Sequence, residues 1–391
     1  MPRSVYLLPV LLACASLTVM AGATIAPGLP GLVEHFADYP DADYLSRFIL
    51  TAPGLAIACS ASLAGWVADK LGRRLLLQLG IALYIVAGSA GLWLDDLIFL
   101  LISRLFLGVA VGMIMVCSMA LLTDHFQGAE RDRAMGIQAS AMSLGGIMFI
   151  ALGSMLADMS WRAPFSVYLL PCLLFPLIHW FVKKPPVSAQ EVNVADNIFP
   201  VKHAALLYLL ACLSMMMFYF IPTQLPFYAL EMGAENLKYG GFAIALSQVF
   251  AALASANYQR LRARFDNTLI LIISYSCMSA GFILLSYVDS LLYMYLCMPI
   301  IGIGLGFNFP NLTIWLMSRV PSSMRGRSSG GLTTAVFVGQ FLSPLLSQPM
   351  VNSHSIAKAF MLAGAGMVAL VILPCIIVQW ILKDKFVKRS P

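Results

Sequence analysis

Twelve apolar runs of roughly 20 residues or more fill this chain. They lie at 5–29, 44–66, 75–94, 97–122, 135–157, 164–182, 204–230, 239–258, 269–288, 291–318, 329–350 and 356–382. A helix of about 20 mainly apolar residues crosses the hydrocarbon of a bilayer. In lipid every backbone N–H and C=O needs a partner within the fold, so spans of this length are helices. The composition agrees: of 391 residues 60% are hydrophobic and 11% charged, where a soluble domain carries roughly 25% charged residues. The expected class is an all-α membrane protein with twelve transmembrane helices.

The short connections carry the charge. With both termini on one side, that side holds nineteen of the 24 Lys and Arg. These are Arg3; Lys70, Arg73 and Arg74; Arg131 and Arg133; Lys183, Lys184 and Lys202; Arg260, Arg262 and Arg264; Arg319, Arg325 and Arg327; and Lys383, Lys385, Lys388 and Arg389. Arg47, Arg162, Lys238 and Lys358 fall on the opposite side, and Arg104 inside a span. Cytoplasmic loops retain Lys and Arg, so the basic side, with both termini, is expected to be cytoplasmic. The formal charge of +6 is therefore a topological signal and not the footprint of a nucleic acid. The eight cysteines all lie within apolar runs and form no CxxC pair. They read as small buried hydrophobes, not as disulfides or metal ligands. One arginine precedes the first run and no small-residue cleavage site follows it, so that run reads as a retained helix and not a signal peptide.

The longest polar stretch, 183–203 (KKPPVSAQEVNVADNIFPVKH), is a linker between two halves of six spans each, 1–182 and 204–391. Arg131-x-Arg133-x-x-Gly136 at the fifth span recurs as Arg325-x-Arg327-x-x-Gly330 at the eleventh, 194 positions on. At the same displacement Gly108-x-x-x-Gly112 in the fourth span maps onto Gly302-x-x-x-Gly306 in the tenth. Between the second and third spans stands Gly65-x-x-x-Asp69-Lys70-x-Gly72-Arg73-Arg74. Its worn counterpart at 256–265 has Arg260 in place of the acid and Ala263 in place of the second glycine. The halves are expected to form two pseudo-symmetric six-helix bundles.

The Gly65–Arg74 pattern resembles the loop signature of the major facilitator superfamily and matches it at every fixed position. Arg104-x-x-x-Gly108-x-x-x-Gly112 resembles the fourth-helix signature of its proton-coupled exporters. The whole chain is similar to the twelve-helix drug:proton antiporter branch, with ATIAPGLPGL at 23–32 and WRAPF at 161–165 in the same style. One departure is in the fifth helix. The antiporter signature Gly-x-x-x-Gly-Pro-x-x-Gly-Gly reads here Gly145-x-x-x-Phe149-Ile150-x-x-Gly153-Ser154, without the central Gly-Pro pair. The resemblance implies two bundles around a mid-membrane cavity, exposed to each side in turn as they rock. It also implies a gating set. Gly65 and Gly72 allow close helix approach and a tight turn. Asp69 accepts hydrogen bonds from the N-terminus of the eleventh helix, where the macrodipole favours an anion. Arg73, Arg74, Arg131, Arg133, Arg325 and Arg327 complete the set.

Arg104 lies on the order of 10 Å from the membrane surface and should face the bundle interior, since an ion in a span is costly unless paired or wetted. None of the eighteen acids stands at the middle of a span. A buried carboxylate is the usual partner of a cationic substrate or a coupling proton. The cavity should therefore be neutral or positive, and its cargo neutral or anionic. Glu34, at the outer end of the first span beyond Pro27 and Pro30, and Asp69 are the titratable candidates for coupling. Substrate candidates beside Arg104 are the uncharged polar groups. Tyr219, Thr223 and Gln224 lie where Pro222 and Pro226 should break the seventh helix. Asn308 and Asn311 follow the glycines of the tenth, Gln340 is on the eleventh and Gln138 on the fifth. With methionines and aromatics these make a surface suited to amphiphilic organic molecules.

The expected function is secondary active transport by alternating access, in a bacterial inner membrane. The cargo is a small amphiphilic neutral or anionic molecule (drug, metabolite or siderophore-like), exported in exchange for protons. The alternative is an importer or uniporter of a neutral or anionic solute. The expected partners are that cargo, protons and the lipid bilayer; the expected state is a monomer without cofactor or metal. An enzyme is not expected, because the spans hold no paired acids, Ser/His pair or HExxH ligands. No ring of like charges or filter sequence marks a channel.

Overall fold

Proline and glycine set the main breaks and turns of the membrane helices, at Pro27, Gly72 and Pro222. The computed structural model describes residues 4–182, 201–321 and 324–387. Helix α1 spans Ser4–Ala23 and resumes as Leu29–His35 after a 3-10 turn at Ala26–Gly28; Pro27 and Pro30 lack the N–H that would carry it straight on. Then follow α2 (Ala42–Leu71), α3 (Arg73–Ser89, ending in a 3-10 turn at Ala90–Leu92), α4 (Leu97–His125) and α5 (Gly128–Ala157). Helix α6 opens as a 3-10 segment, Ala163–Leu173, and closes as Leu174–Phe181. In the second half, α7 comprises Val201–Phe218 and Phe220–Glu231, and α8 is Lys238–Ala256. A short helix, Tyr258–Arg262, leads to α9 (Asn267–Leu285), α10 (Leu291–Arg319), α11 (Arg325–Ser353) and α12 (Ile356–Val387). Among the described residues, eleven stretches are long and apolar enough to cross a membrane, and Ile356–Ile372 is a shorter twelfth.

Two boundaries differ from expectation. Helix α2 does not end before the Gly65 motif but runs through it, so Gly65, Asp69 and Lys70 are helical and the turn to α3 is the single residue Gly72. Nothing in the motif breaks a helix until Gly72, whose φ of 89° suits a glycine. The linker expected at 183–203 falls, up to residue 200, outside the described residues, while Val201–His203 already belong to α7.

Buried side chains gather into two cores. One joins α1 to α6 around Leu11, Ile81, Tyr84, Leu107 and Phe165; the other joins α7 to α12 around Phe220, Tyr275, Phe282, Met298 and Phe360 and takes in Ala26, Leu29, Leu50 and Ile150 of the first half. Corresponding glycines pack corresponding helices. Helix α4 lies against α2, where a Cβ at Gly108 would fall 2.7 Å from the Ala56 Cβ and one at Gly112 2.8 Å from the Ser60 Oγ. Helix α10 lies against α8, where a Cβ at Gly302 would fall 3.1 Å from the Phe250 Cβ and one at Gly306 2.8 Å from the Ala254 Cβ. The 194-residue displacement read in the sequence is thus a displacement between equivalent contacts.

The bundles meet along two seams. At the first, Gly54 of α2 lies under the Phe337 carbonyl and Gln340 of α11. At the second, Gly241 of α8 is pressed against Ser154 of α5 and Pro27.

Candidate functional site: the cavity between the bundles

Between the seams, on the arginine-rich half of the molecule, the bundles enclose a cavity of about 1460 Å³. Its walls come from both halves: Thr18 of α1, Gly65 of α2, Met115, Ser118 and Met119 of α4, Met135, Gln138 and Met142 of α5, Tyr208 and Cys212 of α7, and Arg327, Gly330, Thr333 and Thr334 of α11. Among the described residues that line it, Arg327 is the single charged group and no carboxylate occurs. The basic end is open. Gly136 on α5, its counterpart Gly330 on α11 and the nearby Gly326 face space in which a Cβ would meet nothing within 4 Å.

The opposite, acidic end is closed. Arg47 of α2 is only 2% exposed. Its Nη1 donates to the Asp43 carboxylate (2.9 Å) and carbonyl (2.8 Å), and its Nη2 donates to Gln224 Oε1 of α7 (3.2 Å). The Arg47 guanidinium carbon also lies 4.2 Å over the Phe227 ring. Gln224 Nε2 in turn donates to Ser347 Oγ (3.1 Å) and Gln348 Oε1 (3.4 Å) of α11. Phe48 and Phe341 pack across the α2–α11 seam with centroids 5.4 Å apart. Lys238, at the start of α8, pairs with Asp158 at the end of α5 (3.3 Å) and also donates its backbone N–H to that carboxylate (3.0 Å).

Such a molecule, two similar six-helix bundles open at one end and sealed at the other, has the layout of an alternating-access carrier. The profile of the Major Facilitator Superfamily matches residues 11–344. The chain belongs to this superfamily. It is a transporter and not an enzyme. Its curated relatives include the quinolone resistance protein NorA of Staphylococcus aureus (strain MSSA476), 23% identical over 79% of this chain and 81% of that protein. The class D tetracycline resistance protein of Salmonella ordonez is 24% identical over 93% of this chain and 94% of its own length. Both are drug-resistance proteins, the branch that the sequence motifs resemble. Among solved structures, a bacterial homologue of the human lysosomal transporter Spinster, inward-facing and occupied, superposes with a TM-score of 0.78 at 16% identity, over 100% of this chain and 99% of that one. The nucleoside transporter NupG gives 0.77 at 14% identity, over 94% of this chain and 99% of that one. At such identities the likeness is one of fold.

The superfamily motif residues cluster at the basic end. Gly65 is in the cavity wall, and Asp69, with its side chain 73% exposed, lies 3.9 Å from Arg73 one turn on. Among the described residues Asp69 is paired within its own bundle and not with the start of α11. Arg73 also pairs with Asp124 and approaches the Ala120 carbonyl (3.5 Å), both near the end of α4, and Arg74 donates to the His179 carbonyl of α6. These two arginines therefore staple α3 to α4 and α6. Arg131 and Arg133 are exposed on the first turns of α5, and Arg325 on the first turn of α11.

The other sequence candidates separate into groups. Gln138 and Arg327 line the cavity. Tyr219 stands at the break in α7, where Pro222 supplies no N–H to the Phe218 carbonyl; its hydroxyl and Gln340 flank Gly22, at 3.4 Å and 3.7 Å from a Cβ built there. Thr223 Oγ1 donates back to the Tyr219 carbonyl (2.6 Å), and Gln224 belongs to the closed end. Asn311 is structural: its amide donates to the Asn267 carbonyl (2.8 Å) and its Oδ1 accepts from the Tyr258 hydroxyl (3.2 Å). Asn308 is fully buried within the second bundle, with neither amide atom partnered. Glu34 is exposed.

Arg104 faces the bundle interior, as the cost of an ion in lipid requires, but it is not on the cavity wall. It is 0% exposed. Its Nη2 donates to the carbonyls of Ala87 (2.8 Å) and Gly88 (2.7 Å), in the last turn of α3, and its guanidinium lies over Phe165 (4.9 Å) and Tyr168 (5.4 Å) of α6. Those carbonyls need partners because α3 tightens into a 3-10 turn there, and the guanidinium also suits the negative end of the α3 dipole. The expectation of a single ion in the interior is corrected by Arg47, which is buried where a membrane-surface cation was expected. The available signal was Asp43 four residues before it, a spacing that neutralises a helix cation locally.

Proposed function

We propose that this transporter exports small amphiphilic neutral or anionic molecules from the cytoplasm in exchange for protons. The observation that carries the reading is the cavity wall: methionines, small hydroxyls and Gln138, one arginine and no carboxylate. A cation entering that space would lose water without gaining a counter-charge, and an anion would meet Arg327. Methionine side chains adapt to varied apolar shapes, which fits a broad range of cargo. The excess of Lys and Arg at the open end supports the cytoplasm as the side that this end and both termini face. The drug-resistance relatives support export, and the likeness of Arg104-x-x-x-Gly108-x-x-x-Gly112 to the fourth-helix signature of proton-coupled exporters supports proton coupling.

The two bundles, 1–182 and 204–391, are the moving bodies of this mechanism and 183–203 their tether. Gln138 and Arg327, on the cavity wall, touch cargo. Asp69 swings from Arg73 to the start of α11 when the cytoplasmic end closes, with Gly65 and Gly72 permitting the approach. Arg104 acts at a distance, by fixing the α3–α4–α6 packing behind the wall. The working unit is a monomer in the bacterial inner membrane. Counterflow of a labelled cargo in proteoliposomes, with and without a pH gradient, tests the coupling. Accumulation that follows the gradient is expected, and exchange indifferent to it defeats obligatory proton coupling.

A further inference from the structure

Arg47 is held at the acidic end by an arrangement that can be undone. Its own bundle supplies one partner, Asp43, which engages Nη1. Everything described on its other side belongs to the second bundle: the Gln224 carbonyl oxygen at Nη2 and the Phe227 ring beneath the guanidinium. Its Nε has no partner. Gln224 is oriented for this contact, because its amide nitrogen is committed to Ser347 and Gln348 of α11. One glutamine thus joins α2, α7 and α11, on the segment Phe220–Glu231 beyond the break in α7.

The chemistry of the partner matters. A carboxylate at 224 would form a buried ion pair across the seam, strong in this environment and slow to open. A neutral amide and an aromatic face hold the guanidinium less tightly, and water replaces both when the bundles part. The exposed Asp158–Lys238 pair on the other seam is of the kind that contributes little.

We propose that Arg47 is the latch of the outer gate: bound to Gln224 and Phe227 it holds the cytoplasm-open conformation, and its release accompanies outward opening. It is a positioning residue and touches no cargo. The proposal rests on the alternating-access reading above, and not on the identity of the cargo or the direction of transport.

The test is a spin-label distance measurement between Asp38→Cys and Glu235→Cys, both exposed at the outer end on opposite bundles, with the eight native cysteines replaced. Arg47→Met and Gln224→Leu are each expected to raise the long-distance, outward-open population roughly tenfold or more, the size of a lost hydrogen bond to a charged group. The double variant should match either single one, because both remove the same contact. Asp158→Asn should change the populations little. Gly241→Leu, which wedges the second seam against Ser154, is the control that forces the outer end apart. A lower melting temperature in Arg47→Met without a longer outer distance, while Gly241→Leu lengthens it, overturns the latch alone. Unchanged distances in all variants, Gly241→Leu included, overturn the alternating-access reading as well.

Discussion

Arg104 Nη2 donates to two successive carbonyls, Ala87 and Gly88, that the end of α3 leaves without helical partners. A lysine keeps the charge but lacks the flat face that lies over Phe165 and Tyr168. Arg104→Lys should therefore lower stability by about 1–3 kcal/mol, read as an earlier thermal unfolding midpoint in detergent; an unchanged midpoint contradicts the capping role. Asp96 stands at the head of α4, where Oδ1 accepts from the N–H of Ile98 (2.8 Å) and Phe99 (2.9 Å) and Oδ2 from the Tyr39 hydroxyl (2.9 Å). These donors, the Phe99 N–H first and then Tyr39, hold its carboxyl below the usual carboxylate range, and the hydrogen bond to that carboxylate raises the Tyr39 phenol. A depressed carboxylate stabilises above its unfolded value and loses the contribution as pH falls through its folded value. Asp96→Asn is thus expected to lower the unfolding midpoint at neutral pH, with the gap to the parent protein narrowing in acid. A gap that is constant with pH contradicts this.

Helices in this molecule are distinguished by what their glycines face. Gly108 and Gly302 permit backbone contact between α4 and α2 and between α10 and α8, whereas Gly136 and Gly330, at the basic end, look into open space. Gly108→Leu and Gly302→Leu should each destabilise by about 1–3 kcal/mol or prevent folding, as overpacking does. Gly136→Leu and Gly330→Leu should leave the midpoint within about 0.5 kcal/mol yet slow transport, because the mouth must close during the cycle. Equal stability loss at all four positions, measured by unfolding in detergent, contradicts the assignment of packing and gate glycines. The break before Pro222 was legible because a missing N–H acts locally, whereas Pro226, expected to break the same helix, stands inside the continuous segment Phe220–Glu231. The reach of α2 to Gly72 was not, since charged residues end an apolar run without ending a helix.

At the scale of the whole molecule, the twelve spans, the two bundles and their pseudo-symmetry were legible from hydropathy and a repeated displacement. So was the lack of an acid at the middle of any span, and among the described residues that line the cavity none is a carboxylate. The placement of interior charges was not. Arg104 and Arg47 are both buried, yet one caps a helix inside a bundle and the other bridges two, and only the packing of α2 on α7 and α11 separates them. Cargo class is the claim on which the functional account turns. Transport into everted membrane vesicles energised to an acid interior, with a panel of neutral, monoanionic and bis-quaternary dyes, measures it directly. The account predicts gradient-dependent accumulation of neutral or anionic dyes that the dication does not inhibit; tight, competitive handling of the bis-quaternary dye would contradict it.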